Sequence, residues 1–169
     1  VGTTLDLAGA TVNASGVLLS AATGDVVLDG ATIAAATASV DVIASSNLLI
    51  GGTTLVSGPT GGVFLAAGGS VLNGPALIDG GMVGVFAGQD IDLSQSDIFI
   101  GSASDGSRLP GDPLVTDFLV ANGIAVPNAN PNGLFLAGNS VDLGNLDMTG
   151  HYLWVEGNQI SFSGSVSAP

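Results

Sequence analysis

Between Val26 and Leu55 the chain reads VVLDGATIAAATASVDVIASSNLLIGGTTL. One pattern occurs twice in these residues: two apolar residues one position apart, four spacer residues, and a further apolar residue. The two copies are Val26-x-Leu28 with Ile33 and Leu48-x-Ile50 with Leu55. Successive residues of a β-strand point to opposite sides, so two apolar residues that are separated by one position lie on the same side. Each copy therefore predicts short strands with one apolar side.

The same pattern recurs along the chain. Further copies are Leu5-x-Leu7 with Val12, Val71-x-Asn73 with Ile78, Ile91-x-Leu93 with Ile98, Val141-x-Leu143 with Met148, and a degenerate Ile160-x-Phe162. The second members stand at 7, 28, 50, 73, 93, 143 and 162, which gives spacings of 21, 22, 23, 20, 50 and 19 residues. A period near 20 with two or three strands is typical of a β-solenoid, whose coils stack about 4.8 Å apart.

The repeat predicts an all-β fold: a right-handed parallel β-helix of about seven coils that spans residues 1–169 as a single domain. A second alternating pair, such as Val40/Val42, precedes most copies, and Gly, Ser, Asn and Asp clusters supply the corners. The right hand follows from the strong preference of parallel strand connections. A β-sandwich is the alternative architecture, although it does not require one spacing to recur.

The spacing of 50 residues contains one period plus an insertion at 102–132. Asp112 and Pro113 precede apolar residues in a helical arrangement, and Asn122-Gly123 follows them. Asp caps a helix start, Pro fits the first turn, and Asn-Gly ends it, so one short helix is predicted there. The insertion is interpreted either as a loop packed on the side of the rod or as a contact element for a neighbouring subunit.

The charge balance excludes several classes of partner. Lys+Arg number 1 and Asp+Glu number 14, which gives a formal net charge of -13. Binding to a nucleic-acid backbone or to an anionic membrane surface depends on Lys and Arg, so neither partner is expected. Polar residues interrupt every apolar run before the roughly 18–20 residues of a spanning helix, so no membrane insertion is expected. Cysteine is absent, which excludes disulfides and thiolate metal sites.

The number and spacing of the carboxylates do not indicate an enzyme. A lyase on an acidic polysaccharide needs cationic groups, and Arg108 is the sole Lys or Arg. The pairs Asp90/Asp92 and Asp142/Asp147 fall at outward or corner positions of coils, where solvated Asp is expected rather than a paired-carboxylate hydrolase. We therefore predict no catalytic residue and no enzymatic activity.

No cofactor or dedicated metal site is predicted either. His151 has no Cys or second His to complete a transition-metal site, and calcium would bind the acidic surface only laterally. Ice binding requires a longer threonine ladder than the chain offers. Thr11, Thr32 and Thr54 occupy equivalent places, but the following copies hold Leu77, Asp97 and Asp147 there.

Outward positions carry apolar residues where a solvated rod would have polar ones. A continuous exposed apolar strip is normally a contact surface. The predicted self-association surface consists of Val27, Leu49, Leu72, Phe64, Phe135 and Trp154. Its alternative interpretation is a strip covered by the insertion or by a terminal segment.

Both ends of the solenoid are predicted to be open. No polar cap is evident at Leu5–Val12, and the alternation continues from Ile160 to Val166. Unpaired strand edges pair readily with another chain or with a continuation of the same one.

Two segments carry a resemblance to a known family. VFLAAGGSV at 63–71 and VGVFAGQDIDL at 83–93 resemble the haemagglutinin repeats of filamentous-haemagglutinin-type exoproteins of the two-partner secretion pathway. Asn130-Pro131-Asn132-Gly133 is similar to the NPNG turn of that family, although there it belongs to an N-terminal secretion domain and here it lies in the last quarter. The resemblance implies a right-handed parallel β-helix, a surface location and an adhesive or fibrous role.

These observations together predict a structural or adhesive β-helical subunit or segment of an extracellular bacterial fibre that acts by self-association. Contacts to cell surfaces or polysaccharides are also expected, in a secreted, cell-surface or matrix location. The alternative is a secreted β-helix that binds or cleaves polysaccharide. Two carboxyls and aromatic rings in one groove would favour the alternative, and dispersal of Asp90, Asp92, Asp142 and Glu156 around the rod would favour the fibre.

Overall fold

The chain forms a stack of β-strand coils with three faces. A computed structural model describes residues 3–58, 61–72, 74–100, 117, 120–121, 133–148 and 152–167. The described residues form 18 strands, and the strands pair in parallel. Faces I, II and III follow one another around each coil because Gly, Asn, Asp and Ser turns separate the alternating segments.

The strands are assigned to the faces as follows. Face I contains β1 (Leu5–Asp6), β4 (Val26–Val27), β7 (Leu48–Leu49), β10 (Val71–Leu72), the first parts of β13 (Ile91–Ile100) and β15 (Ser140–Met148), and β17 (Gln159–Phe162). Face II contains β2 (Thr11–Ala14), β5 (Thr32–Ala35), β8 (Thr54–Val56), β11 (Leu77–Gly80), the second parts of β13 and β15, and β18 (Val166–Ser167). Face III contains β3 (Val17–Ala21), β6 (Val40–Ala44), β9 (Val63–Ala67), β12 (Val83–Ala87), β14 (Gly133–Ala137) and β16 (Tyr152–Glu156).

This arrangement confirms the parallel β-solenoid predicted from the repeat. Six complete coils are present, as the six-stranded sheet of face III shows, and β17 with β18 begins a seventh. Faces I and II join into one 12-stranded sheet because β13 and β15 run across the corner between them. The right hand of the coil stays a prediction.

The core is a single column of aliphatic side chains along the axis. The inward members of each alternating pair stack on their equivalents in the next coil, and those of the middle coils are fully buried. On face I this column consists of Val26, Leu48, Val71, Ile91 and Val141. Removal of this apolar surface from water is the main force that holds the coils together.

The predicted alignment of the sixth coil is wrong by two residues. Met148 was expected opposite Ile98, but Leu146 pairs with Ile98 and Met148 pairs with Ile100. The register shifts because coil 5 turns its corner with Ser94 to Ser96, whereas coil 6 uses the more compact Gly144. A Cβ on Gly144 would lie 2.6 Å from the Ser96 carbonyl oxygen, so only glycine fits this corner.

Most of the insertion lies outside the described residues. Within the predicted helix, Asp117, Val120 and Ala121 adopt helical conformation. Arg108, the Asn130–Asn132 turn and His151 also fall outside the part of the chain that is described. No helix in the described part has the length and hydropathy that a membrane crossing would need.

Candidate functional surfaces at the ends and on the faces of the solenoid

The core-facing side chains of the last described coil are exposed. Ile160, Phe162 and Val166 occupy core-facing positions but are 45%, 47% and 46% exposed. Their register partners in coil 6 are all buried: Val141, Leu143 and Leu146. The exposure therefore follows from the position of these side chains at the end of the stack, since their chemistry matches that of the buried ones.

Part of the core-facing surface of the first described coil is exposed in the same way. Four of its core-facing residues are only partly buried, although their equivalents in coil 2 are buried completely. These residues are Leu5, Leu7, Val12 and Leu19, whereas Val17 and Ala21 of β3 are buried. The absence of a cap on either side of the stack stays a prediction.

An apolar ladder runs along the outside of face I. Val27 pairs with Leu49, and Leu49 pairs with Leu72. Val27 and Leu49 are half-buried and Leu72 is exposed. Asp6 bounds the ladder at one end as the register partner of Val27. Three of the residues predicted for the self-association surface therefore form one continuous strip.

The prediction that Phe64 and Phe135 are exposed is wrong. Both side chains point away from the axis, as expected from their positions in the alternating pattern, but each is only 2% exposed. They belong to a second apolar cluster, outside face III, whose other buried members are Met82, Phe86 and Ala137. Trp154, which was predicted for the same surface, packs against this cluster and is partly buried.

Glycine makes room for these rings on face III. Gly84 lies in register between Phe64 and Phe135 on the neighbouring strands. A Cβ at Gly84 would lie 2.9 Å from the Phe86 ring and 3.0 Å from the Phe64 ring. The rings therefore occupy the space above the glycine backbone. In the sequence this arrangement is visible as a glycine two positions before a phenylalanine that points outward, as in Gly84 and Phe86.

The burial of the cluster also bears on the alternative interpretation of the apolar strip. Phe64, Phe86 and Phe135 are buried within a single chain, so a second copy is not needed to cover them. The insertion proposed as a cover lies outside the described residues apart from Asp117, Val120 and Ala121. Only the face I ladder and Trp154 remain from the predicted surface.

A ladder of polar side chains crosses the coils at the corner that precedes face I. Asp25 accepts hydrogen bonds from the Asn47 backbone N–H at 2.9 Å and from the Asn47 side-chain amide at 3.2 Å. The Asn47 side-chain oxygen accepts from the Ser70 N–H at 3.0 Å, and the Ser70 hydroxyl accepts from the Asp90 N–H at 3.3 Å. Asp90 in turn accepts from the Ser140 hydroxyl at 2.8 Å. Each coil thus satisfies backbone donors of the next one.

Two side chains of coil 6 hydrogen-bond to the Asp90 carboxylate. The Ser140 hydroxyl and the Asn139 amide donate to it and lower the pKa of Asp90 below its usual value of 3.8. Partial desolvation acts in the opposite direction but is the smaller effect. Hydrogen bonds to a carboxylate favour its charged form, so Asp90 serves as an anionic acceptor.

The carboxylates that the sequence analysis singled out do not share one groove. Asp90 lies at the corner, Asp92 and Asp142 are register partners on face I, and Glu156 ends β16 on face III. None of them is brought to an exposed aromatic ring. The described arrangement is therefore dispersed, as the fibre interpretation expected.

A different set of residues does converge, on face II near the C-terminal end. A shallow groove there is lined by Asp97, Phe99, Asn145 and Asp147. Phe99 is 41% exposed, and the Asn145 amide donates to the Asp97 carboxylate at 2.9 Å. Sequence reasoning missed this groove because the two-residue register shift in coil 6 places Asn145, rather than Asp147, beside Asp97.

In the described part of the chain, no three His, Cys, Asp or Glu side chains are grouped closely enough to hold a metal ion. Searches against protein-family models, curated proteins and solved structures found no match.

Proposed function

We propose that the chain is a structural or adhesive β-solenoid segment of an extracellular bacterial fibre, and that it acts by self-association without catalysis. The observation that supports this proposal is the apolar ladder on the outside of face I, where Val27 pairs with Leu49 and Leu49 pairs with Leu72. Val27 and Leu49 are half-buried and Leu72 is 41% exposed, in a row where a solvated rod would carry polar residues. The secreted, surface location comes from the haemagglutinin-repeat resemblance of residues 63–71 and 83–93.

The size of the exposed surface indicates what association requires. Complete burial of an aliphatic side chain contributes about 1.5–3 kcal/mol. Because Val27 and Leu49 are already half-buried and Leu72 is 41% exposed, covering the three contributes roughly 1–3 kcal/mol. Association itself costs about 4–15 kcal/mol in lost freedom of motion. The facing copy must therefore supply apolar side chains of its own along the contact.

A charge placed on the ladder tests the proposal. Leu49→Glu adds a carboxylate at the centre of the ladder, and Ser161→Glu adds one at an exposed outward position of the same face, outside the ladder, as a matched control. A buried unpaired charge costs about 3–5 kcal/mol, which is more than a hundredfold in Kd. We expect electron microscopy and sedimentation velocity to show filaments for the wild-type chain and for Ser161→Glu, and monomers for Leu49→Glu. A monomeric wild-type chain at high concentration, or equal assembly of both variants, contradicts self-association through the ladder.

The groove around Phe99 supports a second candidate function, binding of a neutral or amino-bearing polysaccharide. An exposed aromatic ring can stack on the apolar face of a sugar, while Asp97, Asn145 and Asp147 offer partners for hydroxyl or amino groups. The two carboxylates repel acidic polysaccharides, as does the net charge of -13.

Affinity electrophoresis in gels that contain neutral, amino-bearing or acidic polysaccharides tests this second function. We expect retardation of the wild-type chain in one of the first two gels and its loss in Phe99→Ala. Leu77→Ala is the control, because Leu77 is a similarly exposed apolar residue on the same face. Retardation that survives Phe99→Ala, or retardation only in the acidic gel, excludes the groove as the binding site.

A further inference from the structure

We propose that the groove around Phe99 binds an amino-bearing polysaccharide through its ammonium groups, in preference to a neutral one. The inference rests on the second candidate function, polysaccharide binding, and specifies the substrate class of that site. Its basis is an exposed aromatic ring that the strands of face II surround with three carboxylates. These carboxylates belong to Asp79, Asp97 and Asp147.

The register of face II places a carboxylate on three sides of the Phe99 ring. Asp79 is the partner of Phe99 in coil 4, and Asp147 is its partner in coil 6. Asp97 stands two positions before Phe99 on β13 and points to the same outer side of the sheet. All four side chains are exposed. Neighbouring strands lie about 4.8 Å apart and residues two positions apart along a strand about 7 Å, so a sugar ring stacked on Phe99 lies beside all three carboxylates.

The described residues do not neutralise the charge of these carboxylates. They contain no Lys or Arg, because Arg108 is the sole one in the chain and falls outside them. The Asn145 amide donates to Asp97 at 2.9 Å but carries no charge. A ligand that brings ammonium groups is attracted both by the three carboxylates and by the face of the aromatic ring. A neutral sugar gains only the stacking contact, and an acidic one is repelled.

The backbone of the groove favours a polysaccharide over a basic peptide. On face II, β11, β13 and β15 each pair with strands on both sides, so the groove has no free strand edge. An extended peptide could not add a strand there, and only its Lys or Arg side chains would be held. The groove is also shallow, which suits the flat apolar face of a sugar stacked on Phe99. A polysaccharide presents amines at regular intervals, and coils 4, 5 and 6 present their carboxylates in the same way along the axis.

Two matched ligands test the preference: an oligomer of glucosamine, and the same oligomer after N-acetylation, which removes the charge and keeps the sugar chain. Isothermal titration calorimetry of the full chain measures the Kd of each. We expect the glucosamine oligomer to bind about tenfold more tightly in low salt, because each exposed ion pair contributes about two- to fivefold. In about 1 M NaCl the difference should shrink, because the Debye length there falls to about 3 Å.

Four variants locate the effect. Asp79→Asn and Asp147→Asn should each weaken binding of the glucosamine oligomer about two- to fivefold and leave binding of the N-acetylated one unchanged. Glu156→Gln is the matched control, because it removes the same charge from an exposed position at the end of β16 on face III. Phe99→Ala should weaken binding of both oligomers, because the ring contact is common to them. Circular dichroism of each variant checks that the fold is intact.

The contrary outcomes can be told apart. If both oligomers bind equally and Phe99→Ala weakens both, the groove binds sugar without regard to charge, and the proposed preference is wrong. If Glu156→Gln weakens binding of the glucosamine oligomer as much as Asp147→Asn does, the preference comes from the net charge and the groove is not its source. A tetralysine peptide that binds as tightly as the glucosamine oligomer would assign the groove to basic proteins instead. If neither oligomer binds, the second candidate function itself fails.

Discussion

Truncation of the core column at two levels measures how burial depends on position in the stack. Ile91 and Ile160 occupy the same inward column of face I, with Val141 between them. Ile91 is 1% exposed, whereas Ile160 is exposed over nearly half its surface. Ile91→Ala leaves a cavity in a closed core and should lower the free energy of unfolding by about 2–5 kcal/mol. Ile160→Ala removes side-chain surface that is only half-buried, so about 1 kcal/mol or less is expected.

Urea unfolding followed by circular dichroism is the assay, at a concentration where sedimentation shows monomers. A loss below about 1 kcal/mol for Ile91→Ala, or equal losses for both variants, would refute the continuous column.

Three further outcomes follow from the corners of the coils. Asn47→Ala should lower the free energy of unfolding by about 1–3 kcal/mol in urea titrations, because the Asp25 carboxylate and the Ser70 N–H each lose a hydrogen bond. Asn13→Ala is the control at an exposed position and should lower it by less than about 0.5 kcal/mol. The pKa of Asp90 is lowered in the folded state, so its contribution to stability is present above pH 3.8 and is lost as the pH falls through the folded pKa. Asp90→Asn should flatten that part of the curve of unfolding free energy against pH. An unchanged curve would contradict this role of Asp90. Gly68→Ala should lower the midpoint of thermal unfolding markedly, because its Cβ would collide with the carbonyl oxygen of Ser45. A midpoint within about 1 °C of the wild-type value would show that the backbone at this corner can shift to make room.

The repeat predicts the core because one physical rule acts at every level of the stack. Val26, Leu48 and Val71 must all face the axis, so their spacing can be read from the sequence alone. The corner between faces I and II obeys no such rule. Coil 5 uses three residues, Ser94 to Ser96, where coil 6 uses Gly144, and apolar periodicity does not reveal how many residues a corner contains.

The candidate surfaces could be predicted only in part for a related reason. The outward phase of Phe64 and Phe135 follows from alternation, but their burial depends on what lies over face III, which alternation does not encode. The groove beside Phe99 required the shifted register of coil 6 before its acidic lining could be seen. In contrast, the extent of the core column was predictable, because Leu5 and Ile160 continue its pattern in the first and last described coils.

The polar ladder from Asp25 through Asn47 and Ser70 has a consequence for the evolution of such a chain. Its bonds join only adjacent windings, and the contacts of the aliphatic column do so too, so neither set depends on the total number of windings. Duplication or loss of a segment of one period would therefore preserve both kinds of contact. The number of windings can change by genetic slippage while the cross-section of the rod stays the same.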